Sequence, residues 1–587
     1  MLQGTTRRRA LVALVLLTAL ALGLRLWNLD ARLPAMPEPD DVVVVQALHL
    51  EEQRLGLRSK EDAVNSQYPL LLGLLLEALP GELVQTAPVQ APLSEHLSAA
   101  AEPHRMGRRM VVGFSLLLIP GSYLLARRFL GRGPSLFAAA LVATSLLHCL
   151  YSQQARPHVP LATLGLWAVL ACQRLVRRGG VPAYLWAGLT TSAAVACLHN
   201  GFALLLPLGL ALLLRWPRER GFARLSALLP LGLLGFSIDL AYPTLLGAGS
   251  DLGFDKPEGS FFLSGHRIDS INIDGRGFLL VLGYLWGHDP LMVLLGGLGL
   301  ALLLGRARSA RLPKVARRDL WIALAFALPY LLVIGLYART FGRFLLPLLP
   351  YAALLAAAGA ALALRRLPAL APPRRAAFAA LLALAFPLAQ DVQLQRLRSR
   401  PDTHSQLADF LTEHADPQSD LILLGNQVCL PLAEPRRSLL ALPDWSLTVW
   451  QRYQLMLESV PCGRALKSTR PLGVPTLYSP NGLPRPDMQV ALLDQLQRGV
   501  YQWVVSSNQF DLNGARGTLQ PVVEKLGPPT RSFGYPPRLV HAEDSEGYSL
   551  DGGAGWSWLW RRERLGALLE LRDLRPSPRD PVKATPR

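Results

Sequence analysis

Long apolar stretches alternate with short basic ones over the first two thirds of the chain, a pattern that predicts a bundle of membrane-spanning helices. A span needs about 17–25 mostly apolar residues. About eleven runs approach that length, near Ala10–Leu26, Met110–Leu125, Ser135–Leu150, Val159–Cys172, Ala183–Leu198, Phe202–Leu214, Leu225–Leu246, Leu291–Leu304, Leu320–Tyr337, Phe344–Leu364 and Ala376–Ala389. The stretch Tyr68–Leu79 is too short to span and reads as an interfacial helix. From about Asp391 the pattern turns soluble. Helical spacing over Thr403–His414 and Met488–Gln497, and strand-like runs at Leu421–Gly425 and Tyr501–Ser506, predict a small mixed α/β domain.

The expected organisation is therefore a mainly α, polytopic membrane part over residues 1–391, with outer loops 27–109 and 247–290. An extracytoplasmic α/β domain over 392–574 and a Pro-rich, charged tail over 575–587 expected to be disordered complete it. Basic clusters set the orientation. Arg7–Arg9, Arg127 with Arg128 and Arg132, Arg174 with Arg177 and Arg178, and Arg215 with Arg218, Arg220 and Arg224 fall in every second connection. The same phase runs through Arg306–Arg318 and Arg365–Arg375, so these loops are expected in the cytoplasm, with the N-terminus inside and the C-terminal domain outside. A bacterial inner membrane suits this arrangement. A cleaved signal peptide is the competing reading of the first run, but the bulky exit Leu24-Arg25-Leu26-Trp27 lacks a small-residue cleavage site.

Composition agrees with a membrane protein: 51% of the residues are hydrophobic and only 17% charged. The net charge of +18 would suit nucleic acid, but it is dispersed between apolar runs, which excludes nucleic acid as a partner. Five cysteines make no disulfide framework; Cys429 and Cys462, both in the expected outer domain, are one candidate pair.

Ionisable residues at the membrane edge gather on the outer side. His148 ends the third run, Arg156 and His158 open the fourth, His199 ends the fifth, Asp239 nears the end of the seventh, and Arg339 and Arg343 flank a late turn. With Asp40 and Asp41 in the first outer loop they surround one extracytoplasmic zone. His266, Asp269, Asp274 and His288-Asp289 in the second outer loop read as acceptor or metal contacts, or as ordinary loop polarity.

An ordered set of segments carries a family resemblance: the exit Leu24-Arg25-Leu26, the acidic pair in Pro39-Asp40-Asp41, Tyr68-Pro69-Leu70, Arg109, Tyr151-Ser152-Gln153-Gln154-Ala155-Arg156-Pro157, and Gly342-Arg343-Phe344-Leu345-Leu346-Pro347. Over roughly Arg25 to Asp391 the chain resembles the GT-C glycosyltransferases, in the branch of protein O-mannosyltransferases and the lipid A aminoarabinose transferase. The resemblance implies transfer of a sugar from a polyprenyl-phosphate donor to a lipid, glycan or protein acceptor on the outer face, with inversion at the anomeric centre. The family's first-loop pattern is Asp-Glu with the Asp as catalytic base, which maps that role onto Asp40 and leaves Asp41 in place of the Glu. Both acids also suit a helix cap before Val42–Glu52.

Arg156, Arg339 and Arg343 are candidates for the lipid phosphate, because a guanidinium fork binds phosphate at two points, while snorkelling to headgroups is the competing use. Arg109 is a phosphate ligand or a surface anchor, His158 a sugar or phosphate contact or a helix-start histidine, and Tyr68 part of the cover over the cleft. A second family acid is missing where Gln153-Gln154-Ala155-Arg156 stands, so a divalent metal is possible without a ligand set that requires one. A lipid-linked saccharide transporter, expected to show a polar path across the membrane, and a non-catalytic glycolipid-binding protein are the alternatives.

Overall fold

The computed structural model describes residues 2–31, 33, 42–56, 69–81, 83, 93–219, 222–242, 260–263, 266–269, 272–306, 313–338, 340–366, 373–415, 420–424, 468–472, 502–507, 523–533, 555–561 and 569–575, with a few positions between 490 and 498. The chain is mainly α. Its helices are α1 Leu2–Leu26, α2 Val42–Arg54, α3 Leu71–Glu77, α4 Leu93–Ala126, α5 Arg132–Ala143, α6 Leu146–Ser152, α7 His158–Arg178, α8 Val181–Cys197, α9 Leu205–Arg215, α10 Phe222–Leu225 and α11 Leu228–Ala241. After the hairpin β1 Ser260–Leu263 and β2 His266–Asp269 come α12 Gly277–His288, α13 Pro290–Arg306, α14 Lys314–Leu336, α15 Leu349–Arg366, α16 Pro373–Arg398 and α17 Thr403–His414.

Seven segments among the described residues are long and apolar enough to cross a bilayer: Arg8–Leu26, Ala101–Ala126, His158–Arg178, His199–Arg218, Lys314–Leu336, Gly342–Arg365 and Ala377–Arg398. The bent pair α5 and α6 makes an eighth if it is one span. The expected runs at α8, α11 and α13 are apolar helices of only 17, 14 and 17 residues. Seven or eight long spans therefore stand where eleven were expected. A further apolar helix, α12, lies within the stretch read as an outer loop. Its 12 residues are too few to register as a span.

The spans pack through small residues as well as large ones. Without a hydrophobic drive between helices in lipid, close backbone approach supplies the attraction. Gly299 of α13 faces the carbonyl of Leu355, and Gly359 of α15 faces that of Leu295; a Cβ built on either glycine overlaps the opposing backbone. α4 and α7 run parallel, with Thr163 bonded to the Phe114 carbonyl (2.9 Å) and Trp167 to that of Leu117 (3.2 Å). The α5/α6 break has a local cause: Ser145 takes an extended backbone and caps α6, its hydroxyl accepting from the His148 N–H at 3.1 Å.

Beyond α16, Asp402 caps α17 through the Ser405 N–H (2.8 Å). A five-stranded sheet follows in the order β4-β3-β5-β7-β6, from β3 Asp420–Leu424, β4 Ser468–Leu472, β5 Trp503–Ser507, β6 Arg531–Phe533 and β7 Leu569–Asp573. β3 is parallel to β4 and β5, while β7 is antiparallel to β5 and β6. Alternate residues Trp503, Val505, Leu569 and Leu571 close over Leu407 and Leu411 of α17. Both expected strands and the Thr403–His414 helix are present to within two residues; most of the expected Met488–Gln497 helix, and residues 576–587 of the tail, lie outside the described residues. The short α18, Gly555–Arg561, returns to the membrane helices: the Gln393 amide donates to the Leu559 carbonyl at 3.3 Å, and Trp556 meets Phe386 edge-on.

Candidate functional site

The turn Gln153–Pro157 joins α6 to α7. Pro157 has no N–H to place and its fixed φ suits the residue just ahead of a helix, so α7 opens at His158. Arg156 is buried in this turn, its backbone N–H bonded to the Gln154 carbonyl at 2.8 Å. The His158 ring stacks on Phe344, centroids 5.7 Å apart, within the 3-10 segment Gly342–Leu348. From the same segment Arg343 lays its guanidinium over Phe341 at 4.3 Å and Phe344 at 5.6 Å, a cation–π arrangement that steadies a charge in a dry setting. The Tyr330 hydroxyl holds the Phe344 carbonyl at 3.1 Å and accepts from the Asn200 amide at 3.4 Å. His158 and Arg343 thus share one aromatic surface, with Arg156 two residues away. Two buried cations and a histidine at one end of α7 can hold an anionic headgroup and stabilise charge that develops on it.

Beside this site runs a buried polar seam. Arg25, wholly buried in α1, donates to the carbonyls of Ala21 and Ala143 (both 3.1 Å) and reaches His148 Nδ1 at 2.8 Å. An arginine only donates, so Nδ1 accepts and the His148 proton sits on Nε2. The Gln153 amide donates to the carbonyls of Arg25 and Trp27 (both 2.9 Å) and accepts from Gln395 (3.0 Å) and Arg398. Asp289 accepts from the Ser145 hydroxyl (2.7 Å) and the Leu146 N–H (3.2 Å), placing a carboxylate at the start of α6. Asp391 is buried in α16. In the sequence Arg25 reads as part of the exit of the first run and Asp391 as the start of the soluble part; a charge at the edge of an otherwise apolar run is the signal available.

Other candidates fall elsewhere. Asp40, Asp41, Tyr68 and Arg339 lie outside the described residues. Among described residues near them in sequence, Val44 of α2 closes with Ala155 on Gly107, where a Cβ would meet them at 3.2 and 3.0 Å, and the Leu70 N–H donates to the Ala241 carbonyl at 3.1 Å. Arg109 sits on the exposed flank of α4, paired with Glu102 at 3.2 Å. Its neighbour Arg108 is the buried one, bonded to the carbonyls of Leu29 (2.7 Å) and Ala31 (3.0 Å). Tyr242 donates to the Val195 carbonyl at 2.9 Å, so the 3.3 Å contact with His199 Nδ1 has the histidine as donor and ties helices together. His288 reaches the Tyr284 carbonyl at 2.8 Å, and Asp239 is exposed. Asp274 accepts from the backbone N–H of Arg276 (2.9 Å) and from its guanidinium, and these bonds hold its carboxyl below the usual range; it shapes the turn into α12. His266 and Asp269 pair with Leu263 and Ser260 in the hairpin. Among the described residues no three His, Cys, Asp or Glu side chains gather as a metal site.

Neither a protein-family model nor a curated protein matches the chain. Solved structures do resemble it. The Archaeoglobus fulgidus oligosaccharyltransferase tethered with an acceptor peptide aligns at 13% identity and a TM-score of 0.47, covering 90% of this chain and 73% of that one. ArnT from Cupriavidus metallidurans bound to undecaprenyl phosphate aligns at 14% identity and 0.42, covering 86% and 94%. The S. cerevisiae protein O-mannosyltransferase Pmt1-Pmt2 complex bound to the sugar donor aligns at 13% and 0.29, over 43% and 36%.

Proposed function

We propose that this chain is a GT-C-type glycosyltransferase that moves a sugar from a polyprenyl phosphate to an acceptor at the outer membrane face. The observation that carries the reading is the meeting of His158 and the buried Arg343 on Phe344, with buried Arg156 in the adjoining turn, at the end of α7 opposite Arg177. Some 20 helical residues at 1.5 Å each separate the two ends by about 30 Å, the thickness of the hydrocarbon layer. A lipid phosphate carried at the outer interface then lies level with the two arginines. α2, α3 and the turn before α7 meet at this same end, where Val44, Leu76 and Ala155 surround Gly107, and Asp40 and Asp41 immediately precede α2 in the chain.

In this reading Asp40 accepts the proton of the acceptor hydroxyl or amine as that atom attacks the anomeric carbon. The bond from the anomeric carbon to the phosphate oxygen breaks, and the electron pair leaves with the polyprenyl phosphate, whose charge Arg156, Arg343 and Arg339 hold. His158 orients the sugar or phosphate, and Tyr68 covers the cleft. Purified protein incubated with radiolabelled polyprenyl-phosphate sugars and membrane extract tests the proposal. Transfer of label is expected, falling about 100-fold in Asp40→Asn, with donor binding retained there and weakened in Arg343→Ala. No transfer with any donor, alongside donor-dependent transport into sealed vesicles, would replace it with the transporter reading.

A further inference from the structure

At the other end of the bundle the basic residues are not evenly neutralised. The parallel pairing of α4 and α7 brings their C-terminal ends out together, so Arg127 and Arg128 emerge beside Arg177 and Arg178. Two acids serve this rim among the described residues, and both are committed. Asp319 is buried against Arg177, accepting from its Nε at 3.0 Å, and Glu219 is buried against Arg215. Arg127 turns to the Leu130 carbonyl. The guanidiniums of Arg128 and Arg178 are left without a hydrogen-bond or ion-pair partner among the described residues, each within electrostatic range of the other.

The surroundings indicate what would join them. Burial and the nearby Arg178 hold the Arg128 guanidinium below its ordinary value, a cost that an anion between the two would relieve. Phe129 and Leu130, next along the chain, pack on the buried core of the helix bundle, the apolar span Ala101–Ala126 ends two residues before Arg128, and Leu124, one turn before it, is exposed. The pair therefore sits where headgroups meet acyl chains. Gly179 ends α7 with a φ of +66°, and the Arg215 side chain lies where a Cβ would stand. The end of α7 is thereby fixed by contacts that leave Arg178 unused.

We propose that Arg128 and Arg178 clasp the phosphodiester of an anionic phospholipid in the membrane leaflet on this side, at a site separate from the Arg156/Arg343 end. Two guanidinium forks from adjacent helices match the spread oxygens of one phosphate. The source is the lipid, because the exposed apolar surface beside the pair continues into the acyl region.

Native mass spectrometry of the full-length protein in mild detergent, with added phosphatidylglycerol, phosphatidylcholine or inorganic phosphate, tests this. Wild type is expected to retain phosphatidylglycerol over phosphatidylcholine. At about fivefold per arginine, Arg128→Gln with Arg178→Gln should weaken phosphatidylglycerol retention about 30-fold. Arg218→Gln, on the same rim but bonded to the Leu214 carbonyl at 2.7 Å, should leave it within about twofold. Both altered side chains are at least partly exposed, so the protein should fold, and an unchanged phosphatidylcholine signal verifies that it does. Equal retention of the two lipids, unchanged retention in the double variant, an equal loss in Arg218→Gln, or displacement of the lipid by millimolar inorganic phosphate would each overturn the proposal.

Discussion

Gln153→Ala removes one amide and disconnects four groups. Its Nε2 donates to the carbonyls of Arg25 and Trp27, and its Oε1 accepts from Gln395 and Arg398. Trp27 is exposed and Arg398 only partly buried, so water can replace those two bonds. Arg25 and Gln395 are fully buried, and their orphaned groups cost about 1–2 kcal/mol each, or about 2–4 kcal/mol in total. Equilibrium unfolding of the purified protein in mixed detergent with rising SDS reads this as an earlier midpoint. A double-mutant cycle with Gln395→Ala isolates the bond. The double variant should be less destabilised than the sum of the singles by about 1 kcal/mol or more, because either change alone already breaks the contact. If the two effects add to within about 0.5 kcal/mol, the amides do not act together and the seam is not what holds the turn ahead of Arg156.

Single-cysteine labelling with an impermeant reagent, on a cysteine-free background, should reach positions near Asp40, Ser250 and Gln451 from outside intact cells and not the loop bearing Arg317; external labelling of that loop would reverse the proposed orientation. Gly359→Leu should drive α15 off α13 and abolish folded yield, measured by size-exclusion chromatography, whereas Gly297→Leu on α13, where a Cβ meets nothing within 4 Å, should be tolerated. Peptide mapping without reductant is expected to find Cys429 linked to Cys462; two free thiols in fresh membranes would refute the pair.

The apolar runs were legible because lipid offers backbone groups no partners, so a long apolar stretch has one workable form, the helix. Hydropathy fails where that constraint is shared among elements. α12 is a short apolar helix that the same averaging merged into a loop, and the extended Ser145 that breaks α5 from α6 follows from a side-chain cap, which carries no hydropathic signature. Phe344 of the motif Gly342–Pro347 meets His158, the residue that follows the motif Tyr151–Pro157. Arg109, read as a phosphate ligand or a surface anchor, is exposed while Arg108 is buried, because adjacent helix positions differ by about 100° in direction and only packing decides which one turns inward.

The seam was least legible of all. Arg25 meets His148 across 123 positions, and Asn28 donates to the Gln395 carbonyl across 367. No window of sequence contains both partners. Yet a lone arginine in a membrane helix already states a requirement, since several kcal/mol stand against leaving it unpaired. Asp289, Asp391, His148 and Gln153 are the polar residues elsewhere in the chain that could meet that requirement. His148 and Gln153 bond to Arg25 and Asp391 lies within its electrostatic range, so the turn before α7 is held by polar bonds to α1 and α16, while His158 leans on Phe344. Because only residues 399–402 join α16 to α17 of the sheet domain, a shift of that domain has a short route to Gln153, and through it to the turn that carries Arg156.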